Sequence, residues 1–134
     1  MAKKGKILLI EDDVTLAKMY SKKFTSDNFE VAVAYDGWDG LKKTISEKPD
    51  IVLLDILLPG LDGIALFKKM RSQTETFNTP VILLTNVGEE EAIYECFKLG
   101  AVDYLVKADY TPAQVVKKVE DFLCLLYTSD AADE

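Results

Sequence analysis

Pro49-Asp50-Ile51-Val52-Leu53-Leu54-Asp55 sets four consecutive apolar residues between a Pro-Asp pair and a carboxylate. A run of that length without polar alternation predicts a strand buried on both faces, as in a parallel sheet covered by helices. Outward from it the same pattern returns, with strands predicted at Lys6–Ile10, Glu30–Ala34, Ile51–Leu54, Val81–Leu84 and Tyr104–Val106. Helical patterns fill the intervals: Val14–Ser26, Trp38–Glu47, Gly63–Ser72, Glu89–Leu99 and Pro112–Leu123. In the last, Val115, Val116, Val119, Phe122 and Leu123 share one stripe against Lys117, Lys118 and Asp121. Punctuation agrees. Asp36-Gly37 can cap the second helix, Gly100 follows the fourth where a left-handed residue is expected, and Thr111-Pro112 gives an N-cap before proline. Five strand–helix repeats predict a doubly wound α/β fold in strand order 2-1-3-4-5. Any site then lies at the carboxyl ends of the strands.

The 134 residues suffice for one domain, and a 49% hydrophobic content is that of a globular chain. No apolar run approaches the roughly 20 residues of a membrane span. The start, Met1-Ala2-Lys3-Lys4-Gly5-Lys6-Ile7, is basic but lacks the apolar region of a secretory signal, so a cytoplasmic protein is expected. A net charge of −7 argues against nucleic-acid binding by this segment. The chain has no histidine, which removes the commonest general base, the usual zinc ligand and any internal phosphohistidine relay. Cys96 and Cys124 lack metal-ligand spacing and read as incidental thiols in a reducing compartment. Chemistry here must run on carboxylates, a lysine and hydroxyls.

Residues 124–134, Cys124-Leu125-Leu126-Tyr127-Thr128-Ser129-Asp130-Ala131-Ala132-Asp133-Glu134, read as the in-frame translation of a sequencing-library adapter. On that reading residues 1–123 are the native domain, Cys96 is its one native cysteine, and Asp130, Asp133 and Glu134 do not belong to its charge. A domain beyond Leu123 then stays open.

Polar residues just past the strands are the candidate site. Glu11-Asp12-Asp13 follow the first, Asp55 the third, Thr85 the fourth and Lys107 the fifth. Singly, each has a bland role: a helix cap, a turn residue, a strand-end threonine, a solvated lysine. Together at the correct strand ends they form a specific constellation. Carboxylates crowded in one crevice repel unless a cation joins them, and an all-oxygen donor set suits a hard divalent ion such as Mg²⁺.

Five segments carry a resemblance: Ile7-Leu8-Leu9-Ile10-Glu11-Asp12-Asp13, the Pro49–Asp55 run, Leu58-Pro59-Gly60-Leu61-Asp62-Gly63, Pro80-Val81-Ile82-Leu83-Leu84-Thr85, and Gly100-Ala101-Val102-Asp103-Tyr104-Leu105-Val106-Lys107. In these the chain resembles the receiver domain of two-component response regulators, the CheY-like superfamily, over residues 5–123. The resemblance implies Asp55 as phosphoacceptor and Glu11 and Asp12 as the acidic pair around Mg²⁺. It further implies the Leu57 backbone carbonyl as a metal ligand, Thr85 and Lys107 as contacts to the phosphoryl group, and Tyr104 as the switch aromatic. The expected partners are a sensor histidine kinase or phosphotransfer protein and a downstream protein. The face of the fourth helix, fifth strand and fifth helix would carry the output and could dimerise. No enzymatic activity on an external substrate is implied, only assistance to the chain's own phosphorylation and a slow autodephosphorylation.

Departures from the family pattern carry their own expectations. Ala108 stands where most relatives have proline after the lysine, so Lys107-Ala108 is either a strained cis bond or the start of a different path. Asn86 follows Thr85 where a small residue is usual. Leu57 and Val87 beside the site are apolar and offer nothing to orient a hydrolytic water. Glu89-Glu90-Glu91 suits a solvated helix start, and Trp38 reads either as surface packing or as a contact. Three other readings stand against these residues. An unphosphorylated interaction module lacks none of these residues. A phosphatase of the haloacid dehalogenase type would want an aspartate where Leu57 stands, and a flavodoxin-like FMN carrier would set its phosphate against Glu11-Asp12-Asp13.

Overall fold

The computed structural model describes residues 3–132. Five strands, β1 (Lys6–Ile10), β2 (Glu30–Ala34), β3 (Ile51–Asp55), β4 (Val81–Thr85) and β5 (Asp103–Val106), form one parallel sheet in the order β2-β1-β3-β4-β5. The helices are α1 (Val14–Ser26), α2 (Gly37–Ser46), α3 (Gly63–Arg71), α4 (Glu90–Lys98) and α5 (Pro112–Ala132). The doubly wound α/β fold and its strand order are those the sequence predicts.

Every residue of β3 and β4 is buried, which is why both read as unbroken apolar runs. Side chains alternate between two cores. Ile7, Leu9, Leu53 and Leu84 pack with Tyr20 and Phe24 of α1 and Val115, Val116 and Val119 of α5. Leu8, Ile10, Leu54 and Leu83 pack with Leu66, Phe67 and Met70 of α3 and Cys96 of α4, with Leu41 of α2 at the margin. At about 25 cal/mol per Å² of apolar surface removed from water, these two layers dominate the stability of the domain.

Local chemistry sets the boundaries. Asp13, Asp36 and Asp62 each accept a hydrogen bond from a backbone N–H in the first turn of α1, α2 and α3 (3.0, 2.8 and 2.9 Å). At α5, Thr111 and Gln114 exchange side-chain and backbone bonds in a reciprocal capping box, with Pro112 as the first helical residue. Gly100, at φ +91°, closes α4 as expected: its N–H donates to the Phe97 carbonyl and the Ala101 N–H to the Cys96 carbonyl, each at 3.0 Å.

One boundary differs from the sequence pattern by more than a residue. α5 continues to Ala132 instead of ending near Leu123; no proline or glycine follows Leu123 to break it, and the added leucines and alanines are good helix formers. Asp133 and Glu134 lie outside the described residues. No peptide bond among the described residues is cis, so the chain after β5 takes the other path, a 3-10 turn over Lys107–Asp109. Among the described residues no helix is long and apolar enough to cross a membrane.

Candidate functional site

Strand register brings the polar residues together. Ile10 pairs with Leu54, so Glu11 and Asp55 are the next residues on adjacent strands. Asp55 pairs with Leu84, and Thr85 with Val106, which places Thr85 and then Lys107 one step further across the sheet. Glu11, Asp55 and Thr85 are buried, and Asp12 is exposed at the rim.

The acidic run after β1 divides its work. Asp13 caps α1, and its own N–H donates to Glu11 Oε1 at 3.1 Å. Glu11 and Asp12 turn the other way. With Asp55 they offer ligand oxygens that all lie within 4.8 Å of one another, a cluster that could hold a metal ion. The Asp55 carboxylate accepts the Leu57 N–H at Oδ1 (3.1 Å) and the Lys107 ammonium at Oδ2 (3.0 Å). Lys107 Nζ also lies 2.7 Å from Glu11 Oε2.

One lysine does not balance this cluster. Burial pushes the Glu11 carboxyl up to about 7; Lys107 opposes that rise, and the Asp55 carboxylate adds to it. Burial works against the Lys107 ammonium as well, but the Glu11 and Asp55 carboxylates outweigh it and leave its pKa above the ordinary value. Three carboxylates against one ammonium leave a net negative, all-oxygen crevice, and a hard divalent cation would complete its charge. The Thr85 hydroxyl is buried and has no hydrogen-bond partner. A buried hydroxyl without a partner is costly unless the site's function supplies one.

β3 can approach α3 this closely because residue 63 is glycine: a Cβ there would meet the Asp55 carbonyl oxygen at 2.6 Å and the Ile56 Cα at 2.7 Å. The Gly63 N–H instead donates to the Ile56 carbonyl at 2.9 Å, fixing the loop that carries Leu57. Leu57, two residues past Asp55, and Val87, two past Thr85, are exposed and apolar, and Asn86 is exposed next to Thr85. Trp38 stands at the start of α2, largely exposed, with its indole edge beside Gly60 of the same loop. Glu90 and Glu91 are exposed in the first turn of α4.

Tyr104 of β5 is 43% exposed, with its ring edge-on to Phe97 of α4. That contact joins residues of a helix and a strand through tertiary packing, and no spacing in the sequence signals it. Arg71 is another residue the pattern does not single out. Its guanidinium donates to the carbonyls of Leu99 (2.6 Å) and Thr79 (2.9 Å) and stacks on Phe67. Of the two thiols, Cys96 is buried, with its pKa raised by burial to about 11, and Cys124 is exposed; neither is in a disulfide.

Residues 7–120 match the family model described as the response regulator receiver domain. The alkaline phosphatase synthesis transcriptional regulatory protein PhoP of Bacillus subtilis is 36% identical over 118 residues, covering 88% of this chain and 48% of that protein. Response regulator ArlR of Staphylococcus aureus is 36% identical over 101 residues, 75% of this chain and 45% of the relative. The chain thus spans about half the length of the curated relatives it matches. Among solved structures, the Francisella response regulator 1452 receiver domain is 31% identical with a TM-score of 0.77, over 94% of this chain and 98% of that one. The chemotaxis response regulator CheY4 of Vibrio cholerae is 26% identical with a TM-score of 0.79, over 90% and 98%.

Proposed function

The chain belongs to the response regulator receiver domains, and on that premise we propose that it takes a phosphoryl group onto Asp55 from a histidine kinase or phosphotransfer protein. The observation that carries this reading is the strand-end set itself. A carboxylate is paired to an ammonium at 3.0 Å, with a buried, unpartnered hydroxyl at the end of the neighbouring strand. Glu11, Asp12 and Asp55 fit Mg²⁺ by donor type and by charge, and the Leu57 carbonyl is the further ligand the family pattern implies. Bound there, Mg²⁺ would neutralise charge on the phosphoryl oxygens and lower the repulsion between donor and carboxylate.

The residues of the chain do the rest. An oxygen lone pair of Asp55 forms the new bond to phosphorus while the bond from phosphorus to the donor atom breaks and its electrons leave with the donor. Lys107, already held at the carboxylate, neutralises a phosphoryl oxygen as charge spreads onto it. The Thr85 hydroxyl donates to another oxygen and gains the partner it lacks. The acyl phosphate carries about −1.5 to −2 charges where the carboxylate carried −1, and it moves them outward onto the phosphoryl oxygens. Drawing Thr85 toward it vacates space on the α4 side of the sheet, into which Tyr104 turns, and the α4-β5-α5 face changes for a downstream partner or a second copy. The protein acts on no external substrate. With Leu57 and Val87 flanking the acyl phosphate, no side chain orients water, and hydrolysis is slow.

Incubation with ³²P-labelled acetyl phosphate tests the reading directly. Label that is Mg²⁺-dependent, hydroxylamine-labile and absent from Asp55→Asn is expected. No label in the wild type with Mg²⁺ would favour an unphosphorylated interaction module, and label that persists in Asp55→Asn would assign the phosphoryl group to another residue and refute Asp55 as the acceptor.

A further inference from the structure

Helix α4 is held unevenly. Its C-terminal end is fixed by the Gly100 turn and by Arg71, which donates to the Leu99 carbonyl at 2.6 Å. Its N-terminal end starts at Glu89 without a side-chain cap, and Cys96 is its one fully buried residue. Along the flank facing β5, Phe97 meets Tyr104 with ring centroids 6.0 Å apart and planes at 87°. Both rings are otherwise largely exposed, 41% and 43%. An edge-to-face pair of this geometry is favoured beyond the area it covers.

The Tyr104 ring has a second place to go. Strand alternation puts Leu83 in the α3–α4 core and Leu84 in the α1–α5 core, so Thr85 falls on the α4 side. Leu105 lies in the α1–α5 core, so Tyr104 shares the side of Thr85. On that side a cleft of about 260 Å³ opens between Asn86, Val87, Ile93 and Val106, with Tyr104 on its wall. The outward ring rests on Phe97, whereas the inward one would leave it.

We propose that Phe97 is a latch: its edge-to-face contact holds Tyr104 outward and sets how much of the unphosphorylated protein already occupies the signalling conformation. This rests on the phosphoacceptor reading and names the regulation of that site. Phe97 is a positioning residue that acts on Asp55 chemistry only through Tyr104. A ligand that favours the inward ring binds against the latch, so releasing the latch raises its apparent affinity by the same factor as the inward population. The preference of one edge-to-face pair corresponds to about two- to tenfold.

The test is a double-mutant cycle with two readouts. Beryllofluoride with Mg²⁺, a phosphoryl mimic, is titrated into wild type, Phe97→Leu, Tyr104→Leu and the double variant; leucine keeps the apolar bulk and removes the ring. In parallel, ¹⁹F NMR follows 3-fluorotyrosine-labelled protein without ligand, the Tyr104 signal being assigned by its loss in Tyr104→Leu. The latch requires affinity about two- to tenfold tighter in Phe97→Leu and no gain from the same change in the Tyr104→Leu background. It also requires an unliganded Tyr104 signal shifted toward the position it takes in liganded wild type. Unchanged affinity with an unmoved signal overturns it, as does a gain that persists in full without Tyr104, since Phe97 would then act through α4 packing alone. If wild type takes no beryllofluoride, the phosphoacceptor reading fails separately. The latch is then decided by the unliganded spectrum: a Tyr104 signal that moves to a buried environment in Phe97→Leu upholds it, and one that stays refutes it.

Discussion

Lys107→Met should tighten Mg²⁺ binding while nearly abolishing phosphorylation, two effects that separate the roles of the lysine. Its ammonium is 2.7 Å from Glu11 and 3.0 Å from Asp55, inside the carboxylate cluster. Without metal, removing it strands two buried carboxylates. Loss of one partner from a buried pair costs about 3–5 kcal/mol. The lower end applies, because the Glu11 carboxyl, already raised to about 7, can take up a proton instead. With metal the sign reverses. Lys107 and a divalent ion repel each other, by about 2 kcal/mol at about 4 Å under water-like screening and about 8 kcal/mol at an effective dielectric of about 20, twice the figures for two unit charges. Asp12 is exposed, so the weaker figure applies, and Mg²⁺ should bind about thirtyfold tighter. At saturating Mg²⁺ that returns about 2 kcal/mol of the lost stability. Urea unfolding with MgCl₂ or EDTA measures both quantities, and acetyl phosphate labelling should fall by about 100-fold, the scale for losing one preorganised charge donor. Unchanged or weaker Mg²⁺ binding, or full metal-free stability, would refute this electrostatic account.

Two further changes probe the surroundings of the site. Leu57→Asn places an amide beside the proposed acyl phosphate and should speed its hydrolysis roughly tenfold by holding a water in line; pulse-chase of labelled protein in Mg²⁺ checks it, and an unaltered rate counts against the apolar flank as the cause of a long-lived state. Arg71→Met keeps the apolar stem but loses the charged bonds to the Leu99 and Thr79 carbonyls at 2.6 and 2.9 Å. It should cost about 2–4 kcal/mol in urea unfolding, and an unchanged midpoint would mean those carbonyls find water instead.

What was legible in the chain follows from how local each feature is. β3 and β4 could be read because burial on both faces demands unbroken apolar runs, and the ends of those runs delivered Asp55 and Thr85 as site candidates. Asp36, Gly100 and Thr111-Pro112 were readable because a cap is decided within one turn of chain. The division of labour among Glu11, Asp12 and Asp13 was not. All three are acidic, so composition does not divide them; the resemblance alone pairs Glu11 and Asp12 at the metal, and the geometry gathers those two with Asp55 and gives Asp13 to α1 as its cap. The path after Lys107 stayed open because a cis bond and a turn satisfy the same sequence; the structure takes the turn. The pattern ends α5 at Leu123 because residues 124–134 read as an adapter translation; nothing in those residues stops a helix, and α5 runs on to Ala132. Arg71 and Phe97 carried no signal, since their partners lie across elements that only the folded sheet brings together.

The same frame explains why charges this poorly balanced can be held at all. Leu54 and Leu84, the residues just before Asp55 and Thr85, have no exposed surface, and neither has Ile10 before Glu11. The apolar layers therefore fix the strand ends independently of what the polar residues gain there, and an uncompensated crevice lowers stability without dissolving the fold. That imbalance is chemically useful. A site already satisfied by its own side chains would have little to gain from a cation or a phosphoryl group. Here Glu11 is pushed toward protonation and the Thr85 hydroxyl is unpaired. Each stands to be relieved by a ligand, and a ligand can shift a conformational equilibrium only by the difference in what it relieves in the two states.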